Sequence, residues 1–420
     1  MKGLNQQSTF PLTPLPEEHT MQKPKKLPKI LVIASVLSII VLGIGAYLVN
    51  TRKNQSNPSS NIQQKIASSP TVADRGEVTA ISSKLYYFDI LKSDEDYETI
   101  LYEEGFEKNT IGKEKIITLP ADSGGMIVNL QFSPDRAYLG WSKEFSHEPA
   151  YIQYIAFKNE KNVESKKITI NNAQIQDFAF SPDSQQMAIL EQVRVDDMNS
   201  IDRYKIRIVS LENGATLREF SFLQPGNHIP MGFIWSKSNK LRAIFSTRVP
   251  SDINWLADFV SISYTPKGNK EFERVIHTGS YNNRPNFAIS EDGENVAFVT
   301  VSSSPELVYG DINGTNISKL VTIPKDECTS SNVTSISPDK RYITIGSSCL
   351  ANQSSKIFDT KKMELLDTEI TFQDSIWTPD SKYMWVKYYS REGSTAYILS
   401  STGRIIKKMD MEKTYPVIWK

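Results

Sequence analysis

The sequence contains little histidine and little cysteine, and it has no excess of charge of either sign. Four histidines and two cysteines in 420 residues leave few ligands for a structural zinc site or an iron–sulfur cluster. Lysine plus arginine equals aspartate plus glutamate, at 48 each. Because nucleic-acid binding needs a positive surface, this balance argues against a nucleic-acid partner. We therefore expect no cofactor, no metal and no nucleic acid.

The sequence also lacks the short motifs of common hydrolases. It has neither a G-x-S-x-G nucleophile elbow nor an H-E-x-x-H zinc motif. Beyond the N-terminal leader, the histidines are His147, His228 and His277, which are far apart in the chain. The acidic stretches 94–96 and 196–202 lack the D-x-D-x-D-G arrangement of a calcium loop. No catalytic residue is assigned, and a binding protein is favoured over an enzyme.

One long uncharged run lies near the N-terminus. Residues 30–49 are 20 residues without a charge, enough for a helix to span roughly 30 Å of hydrocarbon. Four lysines, at 23, 25, 26 and 29, lie just before the run and two basic residues follow it closely, which predicts a cytoplasmic N-terminus and an extracytoplasmic remainder. A cleaved signal peptide is the alternative, because Gly43, Gly45 and Ala46 are small enough for a cleavage site. An uncleaved anchor fits the long leader better.

Polar segments flank this run on both sides. Residues 1–29 carry five prolines and few large apolar side chains, which predicts a disordered cytoplasmic tail. Residues 50–75 are rich in Ser, Asn, Gln and Pro, a composition typical of a flexible stalk. The expected organisation is a tail at 1–29, a transmembrane helix at 30–49, a stalk at 50–75 and a folded domain at 76–420.

One sequence motif, which we call the phrase, recurs through the folded domain. Its copies are LQFSPDRAYLGWS, FAFSPDSQQMAIL, FIWSKSNKLRAIFS, FAISEDGENVAFVT, TSISPDKRYITIGS and SIWTPDSKYMWVK, spaced by 41 to 55 residues. Each copy predicts a strand, a turn and a second strand, because Pro presets the turn backbone and Asp can accept from a nearby N–H. The predicted turn residues are Ser133, Pro134, Asp135, Ser181, Pro182, Asp183, Ser337, Pro338, Asp339, Thr378, Pro379 and Asp380.

A second hairpin follows each phrase, as in YKIRIVSLENGATLREF, so that each repeat supplies four strands. Most positions of the phrase strands are apolar, and both faces of each sheet must therefore be covered. Four-stranded antiparallel units that repeat in this way predict an all-β fold, the β-propeller.

The number of blades depends on how the chain ends are used. Residues 77–120 contain strands without the leading phrase, and the alignment of the C-terminus with the last phrase places Trp419 on Trp377. The C-terminal strand would then complete the first blade and close a ring of seven, which removes exposed edges. The alternative is a propeller of six blades that is preceded by an irregular segment. Tryptophans on the phrase strands are expected to fill the space between blades, at Trp141, Trp235, Trp377, Trp385 and Trp419.

The S-P-D phrase and its spacing resemble the repeats of TolB-type propellers and of the N-terminal propeller of dipeptidyl peptidase IV relatives, over roughly residues 77–420. The resemblance implies the propeller fold. TolB-type proteins carry an α/β domain before the propeller, and residues 50–75 are too few to form one. Peptidase relatives carry a hydrolase domain after it, whereas this sequence ends with the repeats. The partners and activities of those families are therefore not carried over.

The two cysteines flank one predicted hairpin. Cys328 and Cys349 each lie nine residues from the pair Ser337 and Lys340. If the turn has a two-residue loop, the cysteines face each other, within the distance that a disulfide needs. A disulfide suits the oxidising compartment that the membrane orientation predicts. A bulge in the hairpin would instead leave two free thiols.

The functional expectation is a single-pass, membrane-anchored extracytoplasmic propeller. It would bind a protein partner through loops at one end of the ring, while residues 30–49 contact the membrane. The alternative is a carbohydrate- or ligand-binding sensor, or an enzyme, that uses the central channel. That alternative requires several polar side chains from different blades to converge on one point.

Overall fold

The computed structural model describes residues 81–92, 97–106, 113–119, 126–144, 151–159, 162–170, 173–193, 203–223, 228–248, 256–280, 286–302, 304–324, 331–347, 355–390, 393–409 and 417–419. The predicted tail, membrane helix and stalk lie outside these ranges and remain predictions. No helix within these ranges has the length and apolar character to cross a membrane.

The strands form seven antiparallel sheets of four, which we call blades and number along the chain. Blade 1 contains β1 (Ile81–Lys92), β2 (Tyr97–Phe106), β3 (Lys113–Leu119) and the last strand, β28 (Val417–Trp419). Blade 2 contains β4 (Met126–Phe132), β5 (Tyr138–Glu144), β6 (Tyr151–Asn159) and β7 (Asn162–Thr169). Blade 3 contains β8 (Ala173–Phe180), β9 (Gln186–Val193), β10 (Arg203–Ser210) and β11 (Thr216–Leu223). Blade 4 contains β12 (His228–Trp235), β13 (Leu241–Arg248), β14 (Leu256–Tyr264) and β15 (Lys270–Ser280).

The remaining three blades follow the same order. Blade 5 contains β16 (Phe287–Ile289), β17 (Asn295–Val299), β18 (Glu306–Asp311) and β19 (Ser318–Thr322). Blade 6 contains β20 (Ser331–Ile336), β21 (Tyr342–Ser347), β22 (Lys356–Asp359) and β23 (Glu364–Asp367). Blade 7 contains β24 (Asp374–Trp377), β25 (Tyr383–Ser390), β26 (Gly393–Ser400) and β27 (Ile405–Met409).

The innermost strands contact one another in chain order around a ring, and β28 lies between β24 and β4. The ring is therefore a seven-bladed β-propeller, as predicted, and the six-bladed alternative is wrong. Closure uses both ends of the described chain, because β28 pairs with β1 through Leu85 opposite Trp419 and Tyr87 opposite Val417. The indole of Trp419 is 1% exposed and donates to the carbonyl of Ile376 at 3.1 Å. The predicted role of the C-terminal strand is confirmed.

The core lies between the blades. Each of the seven interfaces between neighbouring blades holds one cluster of buried apolar side chains. All six residues of β21 are buried, and so are five consecutive residues of β9. Both faces of the second strands are thus covered, which explains why their sequences do not alternate. The five predicted tryptophans are all buried at these interfaces.

The two ends of the ring differ in their connections. At one end, which we call the tight-turn face, the first and second strands of blades 2 to 7 are joined by five residues in each of six cases. At the other end, the loop face, the second and third strands are joined by between 2 and 9 residues. Most of the loop-face residues lie outside the described ranges. The described chain begins and ends at the tight-turn face, because Ile81 lies beyond Leu85, the partner of Trp419.

Five of the six tight turns share one hydrogen-bond pattern, and the turn at Ser236 in blade 4 differs. In blade 2, the Ser133 hydroxyl donates to Oδ1 of Asp135 at 2.6 Å and accepts from the amide of Tyr138 at 2.9 Å. Oδ1 of Asp135 also accepts from the amide of Ala137 at 3.0 Å. Burial raises the pKa of Asp135, but these hydrogen bonds together outweigh it and leave the pKa below its usual value. The carboxylate is therefore held inside its own turn.

Four other turns repeat this arrangement. The hydroxyl-to-carboxylate bond is 2.6 or 2.7 Å in four further turns, at Ser181 and Asp183, Ser290 and Asp292, Ser337 and Asp339, and Thr378 and Asp380. The fourth residue of each turn has a positive φ, at Arg136, Ser184, Asn239, Gly293, Lys340 and Ser381. Neighbouring turns are also linked, since the Ser184 hydroxyl accepts from the amide of Asp135 at 3.1 Å. Each predicted turn residue thus lies in a five-residue connection, and the turns at Asp135 and Asp339 also bond to the turn of the next blade.

The hairpin between the two cysteines has a different register from the expected one. The amide of Ser337 donates to the carbonyl of Tyr342 at 2.8 Å, so Ser337 does not oppose Lys340. A bulge between Val333 and Ser335 shifts the pairing again. The assumption of a two-residue loop is wrong, because Lys340 adopts a positive φ that lengthens the turn. Cys328 and Cys349 themselves lie outside the described ranges, and their disulfide remains a prediction.

Candidate functional site in the central channel

The first strands surround a central channel, and its tight-turn half forms a cavity of ≈ 880 Å³. One residue from each blade, two positions before the turn serine or its equivalent, forms a ring around this cavity. Three of these residues are isoleucine and one is glutamine, and all four side chains are partly exposed. The other three residues are alanine or serine. The ring consists of Gln131, Ala179, Ile234, Ala288, Ser335, Ile376 and Ile418.

The next position along each strand carries a larger side chain that packs between blades. Trp235, Trp377 and Trp419 occupy this position in blades 4, 7 and 1, and they are between 1% and 6% exposed. Phe132 and Phe180 occupy it in blades 2 and 3. Since consecutive side chains of a strand point to opposite sides, the first strands can line the cavity and separate the blades at once. The cavity wall is therefore mainly apolar.

Charged side chains gather at the tight-turn mouth of this cavity. Prolines 134, 182, 338 and 379 line four sides of the mouth, while Lys237 and Glu291 replace them in blades 4 and 5. Lys340 and Asp292 form an ion pair of 2.5 Å between blades 6 and 5. Apolar walls below a charged rim are typical of a site for an amphipathic ligand.

Arg136 reaches across this mouth. Its Nη1 donates to the carbonyl of Trp419 at 2.5 Å, and its Nη2 lies 3.6 Å from Oε1 of Glu291. Arg136 belongs to blade 2 and Glu291 to blade 5, which lie on opposite sides of a seven-membered ring. Burial lowers the pKa of Arg136, and the Glu291 carboxylate partly opposes this effect. The guanidinium stays charged, because its ordinary pKa is far above neutrality.

Side-chain amides and a carboxylate join the first strands of blades 2, 3 and 4. Gln131 donates to the carbonyl of Phe178 at 2.8 Å, which links β4 to β8. The Asp177 carboxylate accepts from the amides of Phe178 and Phe233, which links β8 to β12. Burial raises the pKa of Asp177 to about 7, although both amide bonds act in the opposite direction. The first strands of neighbouring blades belong to separate sheets, and these polar groups supply hydrogen bonds between them.

A cluster of hydroxyl groups joins blades 6 and 7. The hydroxyl of Ser375 lies 2.5 Å from that of Thr334 and 2.7 Å from those of Ser335 and Thr344. Ser335 and Thr344 are also 2.7 Å apart. These neutral groups are hydrogen-bonded to one another, so the cluster acts as a polar joint between β20, β21 and β24.

The sequence-derived candidates for chemistry do not converge in the channel. His277 packs between Phe259 and Phe298 at the interface of blades 4 and 5, with ring centroids 5.7 and 5.0 Å away, and burial lowers its pKa. His228 is part of β12, but its side chain is not among those described, and His147 and the acidic stretches lie outside the described ranges. Within the described ranges, no group of three or more His, Cys, Asp and Glu side chains could hold a metal.

Several charged residues were missed by the sequence analysis. Glu191 is fully buried and pairs with Arg207 at 2.7 Å and with Lys205 at 3.0 Å. Lys143 and Lys387 are each 2% exposed near the loop-face ends of β5 and β25. A single charge in an apolar strand, as in MAILEQV, is a signal that could have identified them. No local signal identifies Arg136 or Asp177, whose surroundings come from other blades.

No protein-family model matches this sequence, and no curated protein matches it. Several solved structures share its fold. A prolyl endopeptidase structure is 13% identical and superposes with a TM-score of 0.53 over 79% of this chain, which covers 50% of that chain. This chain therefore spans about half the length of that enzyme.

A second match is the propeller domain of the Trilobed protease from Pyrococcus furiosus, 13% identical, with a TM-score of 0.50 over 77% of this chain and 97% of that one. That domain is described as having an open velcro topology, whereas here β28 closes blade 1. TolB from Acinetobacter baumannii matches over 80% of this chain and 82% of that one at 13% identity, but its TM-score of 0.40 carries no argument. The described chain is thus a seven-bladed β-propeller similar to peptidase propellers, and the similarity extends to the fold alone.

Proposed function

We propose that this protein is a membrane-anchored extracytoplasmic propeller that binds a protein partner through its loop face. The difference between the two faces carries this proposal. The six connections between first and second strands at the tight-turn face have the same length, and five of them share one hydrogen-bond pattern, whereas the connections between second and third strands at the loop face vary from 2 to 9 residues. Connections that vary in length on a constant scaffold are where binding residues commonly lie.

The position of the chain ends also supports binding through the loop face. The described chain begins at Ile81 on the tight-turn face, and the predicted stalk and membrane helix precede it. A flexible stalk of 26 residues has an r.m.s. length of roughly 25–30 Å. The stalk would therefore join the propeller at its tight-turn face and leave the loop face free of the tether, available to a partner outside the membrane.

Site-specific photocrosslinking in intact membranes tests the binding face. A crosslinking amino acid is placed at Ser302 on the loop face and, as a matched control, at Lys361 on the tight-turn face, both of which are exposed. We expect a discrete crosslinked adduct from position 302 and none from position 361. Adducts from position 361 alone, or from neither position, would contradict binding through the loop face.

Membrane attachment is tested separately. We expect the full-length chain to stay in the membrane pellet after alkaline extraction, and Ser302→Cys to react with a membrane-impermeant thiol reagent in intact cells. A chain found only in the soluble fraction would contradict the anchor, whatever the crosslinking shows. The cleaved-signal alternative predicts a mature N-terminus after residue 46, which mass spectrometry can detect.

A further inference from the structure

We propose that the tight-turn end of the channel is a binding site for an amphipathic carboxylate. The acid would pair with Arg136, and the apolar body would occupy the cavity below it. This site is separate from the protein partner at the loop face, and its test does not depend on that partner.

The guanidinium of Arg136 has hydrogen-bonding capacity that its present contacts use only in part. It carries five N–H groups, and the bond from Nη1 to the Trp419 carbonyl fixes its position at the mouth. Its Nη2 is 3.6 Å from Glu291, which exceeds hydrogen-bond distance. The Glu291 side chain is 61% exposed, and an exposed ion pair contributes little. A ligand carboxylate with bidentate geometry can therefore replace Glu291 at small cost.

The cavity below Arg136 suits an apolar body. Its volume of ≈ 880 Å³ lies within the range of small-molecule sites, about 300–1,000 Å³. Ile234, Ile376 and Ile418 project into it and remain partly exposed. Burying such surface is favourable by about 25 cal/mol per Å². The apolar wall and the cation lie at opposite ends of one cavity, which matches a molecule with an acid at one end.

The charges around the mouth favour an anion. The cations that line the cavity are Arg136 and Lys237, and the anions are Glu291 and Asp292. Asp292 is paired with Lys340, which lies outside the lining, and Glu291 lies 3.6 Å from Arg136. The carboxylates of the other turns accept hydrogen bonds within their own turns and are not part of the cavity lining. The lining itself is neutral, but Lys340 compensates Asp292, which leaves Arg136 and Lys237 with Glu291 as the one opposing lining carboxylate.

The test compares an acid with its neutral amide. The full-length chain in lipid nanodiscs is titrated with 4-phenylbutyrate and with 4-phenylbutyramide, and binding is followed by calorimetry and by the fluorescence of the tryptophans that line the cavity. Because a charge-assisted bond is worth about 1.4 kcal/mol or more, we expect the acid to bind at least about tenfold more tightly than the amide. Equal affinities, or no binding of either compound, would overturn the proposal.

Two variants locate the site. Arg136→Gln should remove the preference for the acid. Glu291→Gln should tighten acid binding about three- to tenfold, because it removes the competing carboxylate without touching the bond between Arg136 and Trp419. Glu212→Gln, an exposed turn residue that does not line the cavity, is the matched control and should change nothing. An unchanged dissociation constant for Glu291→Gln would place binding elsewhere and overturn the proposal, even if Arg136→Gln fails to fold.

The source of the acid is distinguished by a second pair of compounds. N-acetyl-Leu-Phe and its C-terminal amide are compared in the same way. If the peptide acid binds more tightly than 4-phenylbutyrate, the natural ligand is a peptide C-terminus. The reverse order indicates a small free acid.

Discussion

The tight-turn face and the loop face of this propeller are built on different principles. At the tight-turn face, a serine hydroxyl, an aspartate carboxylate and three backbone amides form the same closed pattern in blade after blade, as at Ser133 and Asp135. At the loop face, connection length varies, and the described part around residues 300–305 has bonds of its own, from the amide of Glu306 to the Thr300 hydroxyl and from Ser302 to the carbonyl of Ser304. Among the described residues, one repeated bond pattern therefore characterises the tight-turn face, whereas each loop-face connection has its own.

Weakening the strand that closes the ring should have the largest effect on the stability of the protein. Trp419→Ala removes a buried indole, its bond to Ile376 and packing against Phe106. We expect a loss of about 3–5 kcal/mol in the free energy of unfolding, measured by denaturant titration. Lys408→Ala on the exposed side of β27 is the control and should change stability by less than about 0.5 kcal/mol. A tryptophan variant as stable as the control would mean that the ring does not depend on its terminal strand.

Removing the hydroxyl of one tight turn should reduce stability by less than the loss of Trp419 does. Ser337 is buried, donates to Asp339 at 2.6 Å and accepts from the amide of Tyr342 at 2.8 Å. Ser337→Ala leaves that amide and the carboxylate without this partner, and we expect a loss of about 1–3 kcal/mol. Ser302→Ala at the loop face is the matched substitution, and it should cost less than about 0.5 kcal/mol. Similar melting temperatures for the two variants would remove the difference between the faces.

Asp177 should make stability depend on pH. Its pKa is raised to about 7 in the folded protein, so the folded state binds more protons than the unfolded state between about pH 4 and pH 7. Stability should therefore fall as the pH rises through this window. Because Asp177 is partly exposed, we expect a change of roughly 1–2 kcal/mol. Asp177→Asn keeps the acceptor oxygen and should flatten the dependence, as measured by denaturant midpoints at pH 5 and pH 8.

His277 should have the smallest effect, with the opposite sign. Burial against Phe259 and Phe298 lowers its pKa, so the folded state binds fewer protons than the unfolded state. The stability that this provides is present above the unfolded pKa and is lost as the pH falls. His277→Gln should reduce the loss of stability between pH 7 and pH 5. If the variant and the parent chain lose the same stability between pH 7 and pH 5, the imidazole of His277 is not shielded from water in the way that its packing indicates.

Much of the fold could be predicted because its signals are local and repeated. The S-P-D turn works through atoms within five residues, as between Ser133 and Tyr138, so each copy can be recognised alone. The match of Trp419 to Trp377 likewise follows from the same strand motif. The hairpin register near the cysteines was wrong because the positive φ of Lys340 gives no signal in the sequence.

The candidate site could not be predicted in the same way. Arg136 occupies the fourth position of an ordinary turn, and residues at that position in the other turns range from glycine to lysine. Its importance arises from Glu291 and Trp419, which belong to blades 5 and 1. Asp177 has an unusual pKa because a bulge in β8 directs it towards the amide of Phe233 in the next blade.

The amino-acid sequence by itself determined the repeat and the turn chemistry and favoured seven blades with a closing C-terminal strand, and the structure decided between seven blades and six. The physical reason is that turn geometry and strand burial depend on neighbours along the chain. Only the tertiary structure decided which side chains meet at the channel axis, because residues from opposite blades approach one another only after the ring has closed. The charged mouth above an apolar cavity is a property of the closed ring, and no single repeat contains it.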